Sequence, residues 1–439
     1  MKKILVLILF LGSFASVILA EDFSQMPIRL SLKDALENVD TVNFQVMMAS
    51  ARLEQAIARI SQAQSDLLPH LEGTVNGSRQ TSDLRAGGIQ IPIPGFKEQV
   101  GPYNTFDARA RVTVALFDPS AFERLRAAKK GENLSQAELD KTREDILALV
   151  SDLYVDARRK HQTVELLKIL LEKDQMAYEI SENSLNQGTE TELSTNQFKS
   201  NLDQSKYLYA QAKHQAEDAY LDLEAALQLP TDRPLVFIDD RNFVGTLEKK
   251  AQINFNKGTN ADMALASSTL EARKADRKAA IADFMPQVSG SANYGRSGES
   301  PDRASNTYFV GVQASIPIWE GGSQQARLKE VNGQLKEAQE NLLDVNQQTE
   351  VNIAKARAAI TEARDLNKAK IQALQTAQKS LRIAFHAQEI GSGTVLEVMQ
   401  AKANLAVAED AYNEAQAAWV MAHIDLLHVQ GRLRELIKK

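Results

Sequence analysis

The stretch Thr307-Tyr308-Phe309-Val310-Gly311-Val312-Gln313-Ala314-Ser315-Ile316-Pro317-Ile318-Trp319-Glu320-Gly321-Gly322-Ser323-Gln324-Gln325-Ala326-Arg327-Leu328 changes its period halfway along. Tyr308, Val310, Val312, Ala314, Ile316 and Ile318 recur at every second position, with Thr307, Gly311, Gln313 and Ser315 between them. This is the pattern of a strand with one apolar and one wet face. Pro317, Trp319, Gly321 and Gly322 end the strand, and from Gln324 onward the sequence predicts a long helix with almost no breakers.

The same design occurs earlier. Phe106, Ala108, Ala110, Val112, Val114 and Leu116 alternate with Asp107, Arg109, Arg111 and Thr113, and Phe117, Asp118 and Pro119 then lead into another long helix. A strand with charged groups on one face and only apolar groups on the other suits a wall between lipid and water. Asp107, Arg109, Arg111 and Gln313 are therefore candidate lumen-facing residues. Phe117 and Trp319, ending strands in matching places, are candidates for an interfacial aromatic belt.

Composition narrows the compartment. The chain has 439 residues, 44% hydrophobic and 25% charged, with 11 Pro and no Cys, which excludes a mainly disordered chain. Met1 to Ala20 reads as a secretory signal, with Lys2 and Lys3 as its charged start, Ile4 to Leu11 as its apolar run and Ala20 before the cut. No later apolar run approaches the roughly 18 to 20 residues of a spanning helix. Loss of the two lysines takes the formal charge from −6 to −8, which argues against a nucleic-acid partner. Without Cys, disulfides, Cys zinc sites and lipid attachment through an N-terminal Cys are all excluded.

The chain repeats itself once. Leu53-Glu54 and Asp66-Leu67-Leu68-Pro69 match Leu270-Glu271 and Asp283-Phe284-Met285-Pro286 at an offset of 217. Asn104-Thr105 then matches Asn306-Thr307, with Phe117 over Trp319, at 202. Gly188 matches Gly391, and Leu227-Gln228-Leu229 falls over Gln430-Gly431-Arg432, at 203. The drop places 15 extra residues between Pro69 and Asn104, expected in the loop around Gly87 to Gly101. Two copies of one supersecondary unit are expected.

Each unit reads in the same order. Ser31 with Asp34 is a capping-box pattern that starts a short helix, and Asn43 to Leu68 continues as a helix with Val46, Leu53, Ile57 and Ile60 on one side. Pro69 stops it. Leu71, Gly73 and Val75 alternate with Glu72, Thr74 and Asn76 in a first strand, and a second returns from Thr105. The other copy has a helix Asp262 to Met285, a strand with Val288, Ala292 and Tyr294 on one face, and a return from Thr307. Helices of 68 residues (Ser120 to Gln187) and 66 residues (Ser323 to Gln388) follow the two hairpins. Each would reach about 100 Å. Gly188 and Gly391 to Gly393 turn the chain, and returning helices such as the one carrying Leu405, Ala408, Ala411, Ala415, Ala418 and Ala422 pair back as antiparallel coiled coils. The expected boundaries are a signal at 1–20, a first repeat at 21–230, a linking segment at 231–260, a second repeat at 261–434 and a tail at 435–439.

A sheet in a bilayer cannot keep open edges, because each unpaired backbone group there costs several kcal/mol. Four strands cannot close alone, since barrels begin at about eight. Several chains must contribute, and two, three or four are each consistent with the sequence.

The order of these parts, with Ile316-Pro317-Ile318-Trp319-Glu320-Gly321-Gly322 at the strand-to-helix junction and Ile390-Gly391-Ser392-Gly393-Thr394-Val395-Leu396-Glu397-Val398 at the tip, resembles the outer-membrane efflux protein (TolC-like) family over nearly all of the mature chain. The resemblance implies a mixed α and β membrane protein. It would be a homotrimer with a twelve-stranded β-barrel in the outer membrane of a Gram-negative-type bacterium, continued by an α-helical barrel in the periplasm. It also implies a periplasmic adaptor (membrane fusion) protein and an inner-membrane pump or ABC transporter as partners, with drugs, small toxic compounds or proteins as cargo. In that family the periplasmic end closes near the second glycine turn, often with aspartates on the inner face. The matching positions here hold Glu397 and Gln400, with Ser194 in the first copy and Glu190 and Glu192 nearby. A threefold ring of Glu397 would favour cations. Gln400 removes a second such ring.

No catalytic constellation stands out. The six His are scattered, His423 and His428 being five apart, so neither a metal site nor a cofactor is expected. Gly321-Gly322 reads as a turn rather than a phosphate loop, and no nucleophile elbow frames a Ser. The expectation is a passive export duct without enzyme activity. An exported coiled-coil scaffold or adhesin without a pore is the alternative.

Overall fold

Ser31 caps the first helix. Its hydroxyl accepts a hydrogen bond from the Asp34 amide at 3.1 Å while the Asp34 carboxylate accepts from the Ser31 amide at 3.2 Å, a complete capping box. In the computed structural model, residues 27–84, 88, 99–238, 245, 247–250 and 260–437 are described. The signal expected at 1–20, most of the loop at 87–101 and parts of the segment at 231–260 lie outside those residues. Strand β1 (Ile28–Leu30) precedes helices α1 (Leu32–Glu37), α2 (Val39–Val42) and α3 (Phe44–Ser65). Strands β2 (His70–Asp83) and β3 (Gln99–Phe117) follow, then the long α4 (Pro119–Asn186) and the returning α5 (Glu192–Leu227). After β4 (Leu235–Phe237) come α6 (Ala261–Ala282), β5 (Gln287–Gly298), β6 (Ser305–Ser315), the long α7 (Ser323–Glu389) and α8 (Val395–Val429).

The four long strands form one antiparallel sheet in the order β2-β3-β5-β6. Each continues into one helix of a wall in which α3 packs on α4, α4 on α6, and α6 on α7. Strand order and helix order are therefore the same. Lower down, α5 lies along α4 and α8 lies along both α7 and α4.

Strand and helix ends correct the sequence reading in four places. Strand β6 ends at Ser315, so Ile316 and Ile318 lie beyond the ladder, because Pro317 has no amide to donate. Strand β3 begins at Gln99 rather than near Thr105, and β2 runs to Asp83, so the extra residues of the first hairpin lengthen its strands as well as its loop. The segment expected to be least regular contributes β4, which pairs in parallel with β1. The expected tail also takes part in the core: a 3-10 turn, Leu433–Leu436, crosses from the second repeat into the tail and buries Leu436 alongside Leu433.

The principal core sits where α4, α5 and α8 pass this β1–β4 ribbon, and it includes Leu36, Leu147, Val150, Tyr154, Leu223, Ile424 and Leu427. The Tyr154 hydroxyl donates to the Leu30 carbonyl at 3.1 Å, and its ring meets Phe237 edge-on at 5.4 Å. Away from this belt the helices meet through small residues. Ala415 and Ala422 are buried as expected, but Ala418 is exposed, and α8 buries Trp419 and, toward the tip, Val398, Ala403 and Ala406 instead. Ile57, expected on the buried side of α3, is exposed, and Ala49 and Ala56 are buried instead. No helix among the described residues is long and apolar enough to cross a membrane.

Candidate functional site

Cross-strand register sorts the sheet into two faces. Leu71 lies opposite Val112, Val112 opposite Ala292 and Ala292 opposite Val310, so these four share one face. Its side chains are open to the surroundings: Leu71 is 75% and Val310 74% exposed, and Val75, Tyr294, Tyr308 and Val312 are exposed with them. On the other face Glu72 lies opposite Arg111, Thr74 opposite Arg109 and Asn76 opposite Asp107. The Asp107 carboxylate accepts from both Arg109 Nε and Nη2. Gln313, opposite Ser289, shares this polar face. Phe309 departs from the pattern. It stands on the polar face opposite Asn293, and its ring folds over Gly311, where a Cβ would lie 2.6 Å from Cζ.

The two aromatic candidates differ in setting. Phe117 ends β3 opposite Val288, on the apolar face beyond an irregularity in the ladder. Trp319 lies outside β6, 77% exposed, in the turn that Gly321 and Gly322 form at φ +63° and +86°.

Below this junction Asp283 gathers three elements. Its carboxylate accepts from the Ser120 hydroxyl at 2.5 Å and pairs with Arg327 at 3.2 Å and Arg124 at 3.6 Å. The Gln324 amide donates to its backbone carbonyl at 3.2 Å.

At the far end both long helices stop in the same way. The Thr189 amide donates to Ser184 O at 2.9 Å and the Gly188 amide to Leu185 O at 2.9 Å, with Gly188 at φ +73°. Ser392 N and Gly391 N bond to Ala387 O and Gln388 O in the same pattern, with Gly391 at φ +75°. These are Schellman ends, which favour glycine at the left-handed position. A Cβ on Gly393 would lie 3.0 Å from Ala387 Cβ, so the second turn is also tight.

The returning helices are capped from the same loops. Thr191 accepts from the Ser194 amide at 3.3 Å. Thr394 accepts from the Glu397 amide at 3.2 Å, and the Glu397 carboxylate accepts from the Thr394 amide at 2.8 Å, a second capping box. Glu397 therefore holds the start of α8 whatever else it does. Gln400 donates to Asn404 at 2.9 Å along the same helix.

Sequence patterns gave no sign of the polar ties between α4 and α8. Arg159 forms a bidentate pair with Asp410, 2.7 Å on its Nη2 arm, and Lys402 reaches Glu172 at 3.7 Å. Nearer the core Glu144, 3% exposed, accepts from the amides of Leu433 at 2.9 Å and Arg434 at 3.3 Å. Burial pushes the Glu144 carboxyl up from its ordinary range, against the opposing pull of those amides. Burial acts on Asp145 in the same sense. There the hydrogen bond from His428 and the charge of Lys141 outweigh it and hold the carboxyl low.

A family model described as outer membrane efflux protein matches residues 33–228 and 257–432. Among curated proteins, the chain is 22% identical to the alkaline protease secretion protein AprF of Pseudomonas aeruginosa, over 84% of this chain and 76% of that one. It is 20% identical to the outer membrane protein TolC of Vibrio cholerae, over 99% of this chain and 97% of that one. Among solved structures, the Campylobacter jejuni CmeC outer membrane channel superposes with a TM-score of 0.76 at 18% identity, over 91% of this chain and 85% of that one.

Proposed function

Because the chain belongs to the outer membrane efflux protein family, we propose that it is the passive exit duct of a tripartite efflux pump or type I secretion system. Energy comes from an inner-membrane pump or ABC transporter, reached through a periplasmic adaptor. The observation that carries this reading is the sheet. One face is apolar and open, the other is polar, and each strand runs on into one helix of the wall. Strands β2 and β6 have no partner on their outer sides among the described residues. In a bilayer those edges must pair. Pairing β2 of one copy with β6 of the next closes the sheet, and three copies supply twelve strands, within the range of known barrels. The apolar face then meets lipid, Asp107, Arg109, Arg111 and Gln313 line the lumen, and Phe117 and Trp319 sit at the membrane interface.

The two halves support an internal repeat. Asn43 and Asn260 each cap a helix and also donate a side-chain amide to a carbonyl near the end of a returning helix, Ala226 for one and Val429 for the other. Movement reduces to repacking of helix pairs near the Gly188 and Gly391 turns on adaptor contact, with Glu397 ringing the entrance. The reading includes no catalytic step.

The test is single-channel conductance of the detergent-purified mature protein in a planar bilayer, with its mass from light scattering. Discrete steps from a three-chain species are expected. A protein that stays in solution without detergent and never conducts would overturn the duct in favour of a scaffold. Glu397→Ala is expected to change conductance or its cation preference, and an unaltered channel removes Glu397 from the gate.

A further inference from the structure

The helical wall has two surfaces, and the sheet tells them apart. Gln287 and Ser315 lie opposite each other on the polar face and line one hollow with Asp283, Gln324 and Arg327. Asp283 therefore points to the wet side. Lys278 and Lys274 precede it by five and nine residues along α6. At 3.6 residues per turn that places them about 140° and about 180° around the helix, on the surface continuous with the lipid-facing side of the sheet.

A groove between α4, α6 and α7 opens there. Arg126, Lys129 and Lys130 of α4 and Lys274, Arg277 and Lys278 of α6 line it, against Glu123 and Glu271. Six cations less two carboxylates leave +4 in a chain whose net charge is −6. Glu123 pairs with Arg126, and Glu271 is shared by Lys274 at 2.8 Å and Lys130 at 3.8 Å. Lys129 and Lys278 are exposed, and neither forms an ion pair within 4.0 Å among the described residues. The groove thus holds more positive charge than the chain neutralises.

Its depth suits a headgroup. Lys278 and Lys274 lie five and nine residues before Asp283, and Arg126 lies eight after Asp118. At 1.5 Å per residue of helix these positions are roughly 7 to 14 Å below the helix ends at Asp283 and Asp118, which themselves lie just beneath the strands. The headgroup layer occupies about 5 to 8 Å beyond the hydrocarbon, and long basic side chains extend toward it along their apolar stems.

We propose that this groove binds the phosphate of anionic phospholipid headgroups in the periplasm-facing leaflet of the outer membrane. The assignment rests on the barrel reading, which sets the outer surface. Cargo in the lumen is not its ligand, because the groove faces away from the polar side of the wall.

The experiment is native mass spectrometry of the detergent-purified channel, first shown to be oligomeric and conducting, with phosphatidylglycerol and phosphatidylcholine added at equal concentration. Preferential retention of phosphatidylglycerol is expected. Each basic side chain near an anionic surface is worth about fivefold, so the triple variant Lys129→Gln, Lys274→Gln, Lys278→Gln should lose roughly a hundredfold in retention. The control Lys206→Gln, Lys213→Gln, on α5, should lose none. If the triple variant fails to assemble, Lys278→Gln alone is expected to lose about fivefold. An assembled, conducting channel that retains both lipids equally, or a triple variant that retains phosphatidylglycerol like the wild type, overturns the proposal alone. Full displacement of the lipid by millimolar inorganic phosphate would assign the groove to a free anion and also overturn it. A preparation that neither assembles nor conducts overturns the duct reading and this proposal with it.

Discussion

Gln228 holds φ +52° at the end of α5, where its amide bonds to Ala225 O and the Leu229 amide to Glu224 O. Gly431 ends α8 with the same pattern at φ +66°. A side chain with a Cβ costs about 1 kcal/mol or more in this left-handed region. Gln228→Gly should therefore raise stability by up to about 1 kcal/mol, less the extra freedom glycine gives the unfolded chain, and Gly431→Gln should lower it by a similar amount. Chemical denaturation of the two variants checks both signs. Glu144 makes a second prediction. Its folded carboxyl is raised, so its protonated form contributes stability that is fully present below the ordinary glutamate range and lost as the group ionises with pH rising through the folded value. In Glu144→Gln one amide hydrogen bond is replaced by two facing donors, at a cost of about 1 to 3 kcal/mol. The stability gap between wild type and variant should widen as the solution is acidified toward that range. A gap independent of pH would show that the carboxyl is not titrating differently in the folded chain.

At the scale of elements, the long helices were legible almost to the residue. The sequence predicts Ser120 to Gln187 and Ser323 to Gln388, and the structure has Pro119–Asn186 and Ser323–Glu389. Their stops are local: a glycine at the left-handed position and a threonine cap three residues later. The alternating faces of the four strands were legible for the same reason. Phe309 was not, because an aromatic ring folded over a glycine hides inside an otherwise regular alternation. The start of β3 was missed because Gln99 to Pro102 carries no alternation and pairs across an irregular step in the ladder. Nor could spacing show that Asp410 meets Arg159, 251 residues away in sequence, since the pairing depends on how α8 settles on α4. Their side chains are only 21% and 17% exposed. Asp410→Ala leaves a largely buried guanidinium without its partner and should cost about 2 to 4 kcal/mol. Exchanging the two residues should restore part of that loss. Equal losses in the single and exchanged variants would mean that packing, rather than the ion pair, joins the two helices.

For the whole molecule, the three-chain reading fixes how one copy would meet the next. Ser120 and Arg124 of α4 reach Asp283, and the matching positions on α7, at an offset of 203, are Ser323 and Arg327. Asp66, the counterpart of Asp283, is exposed at the end of α3. On the three-chain reading α3 borders α7 of the next copy, and Asp66 there receives Ser323 and Arg327 as Asp283 receives Ser120 and Arg124. Asp66→Ala should lower the temperature at which the trimer dissociates, followed by light scattering in detergent, with little effect on the fold of one copy. An unchanged dissociation temperature would place the intersubunit tie elsewhere.

If the barrel reading holds, the unequal hairpins have a consequence outside the cell. Strand β3 has 19 residues and β6 has 11, a difference that at about 3.3 Å per residue adds some 26 Å of ladder to the first hairpin. On the three-chain reading, a ring of such copies would end not in a level rim but in a crown of three tall turrets separated by low notches. Antibodies and bacteriophages approaching the cell would meet the turrets first. On that reading, change in the sequence between residues 84 and 99 would alter what the surface shows without touching the bore beneath.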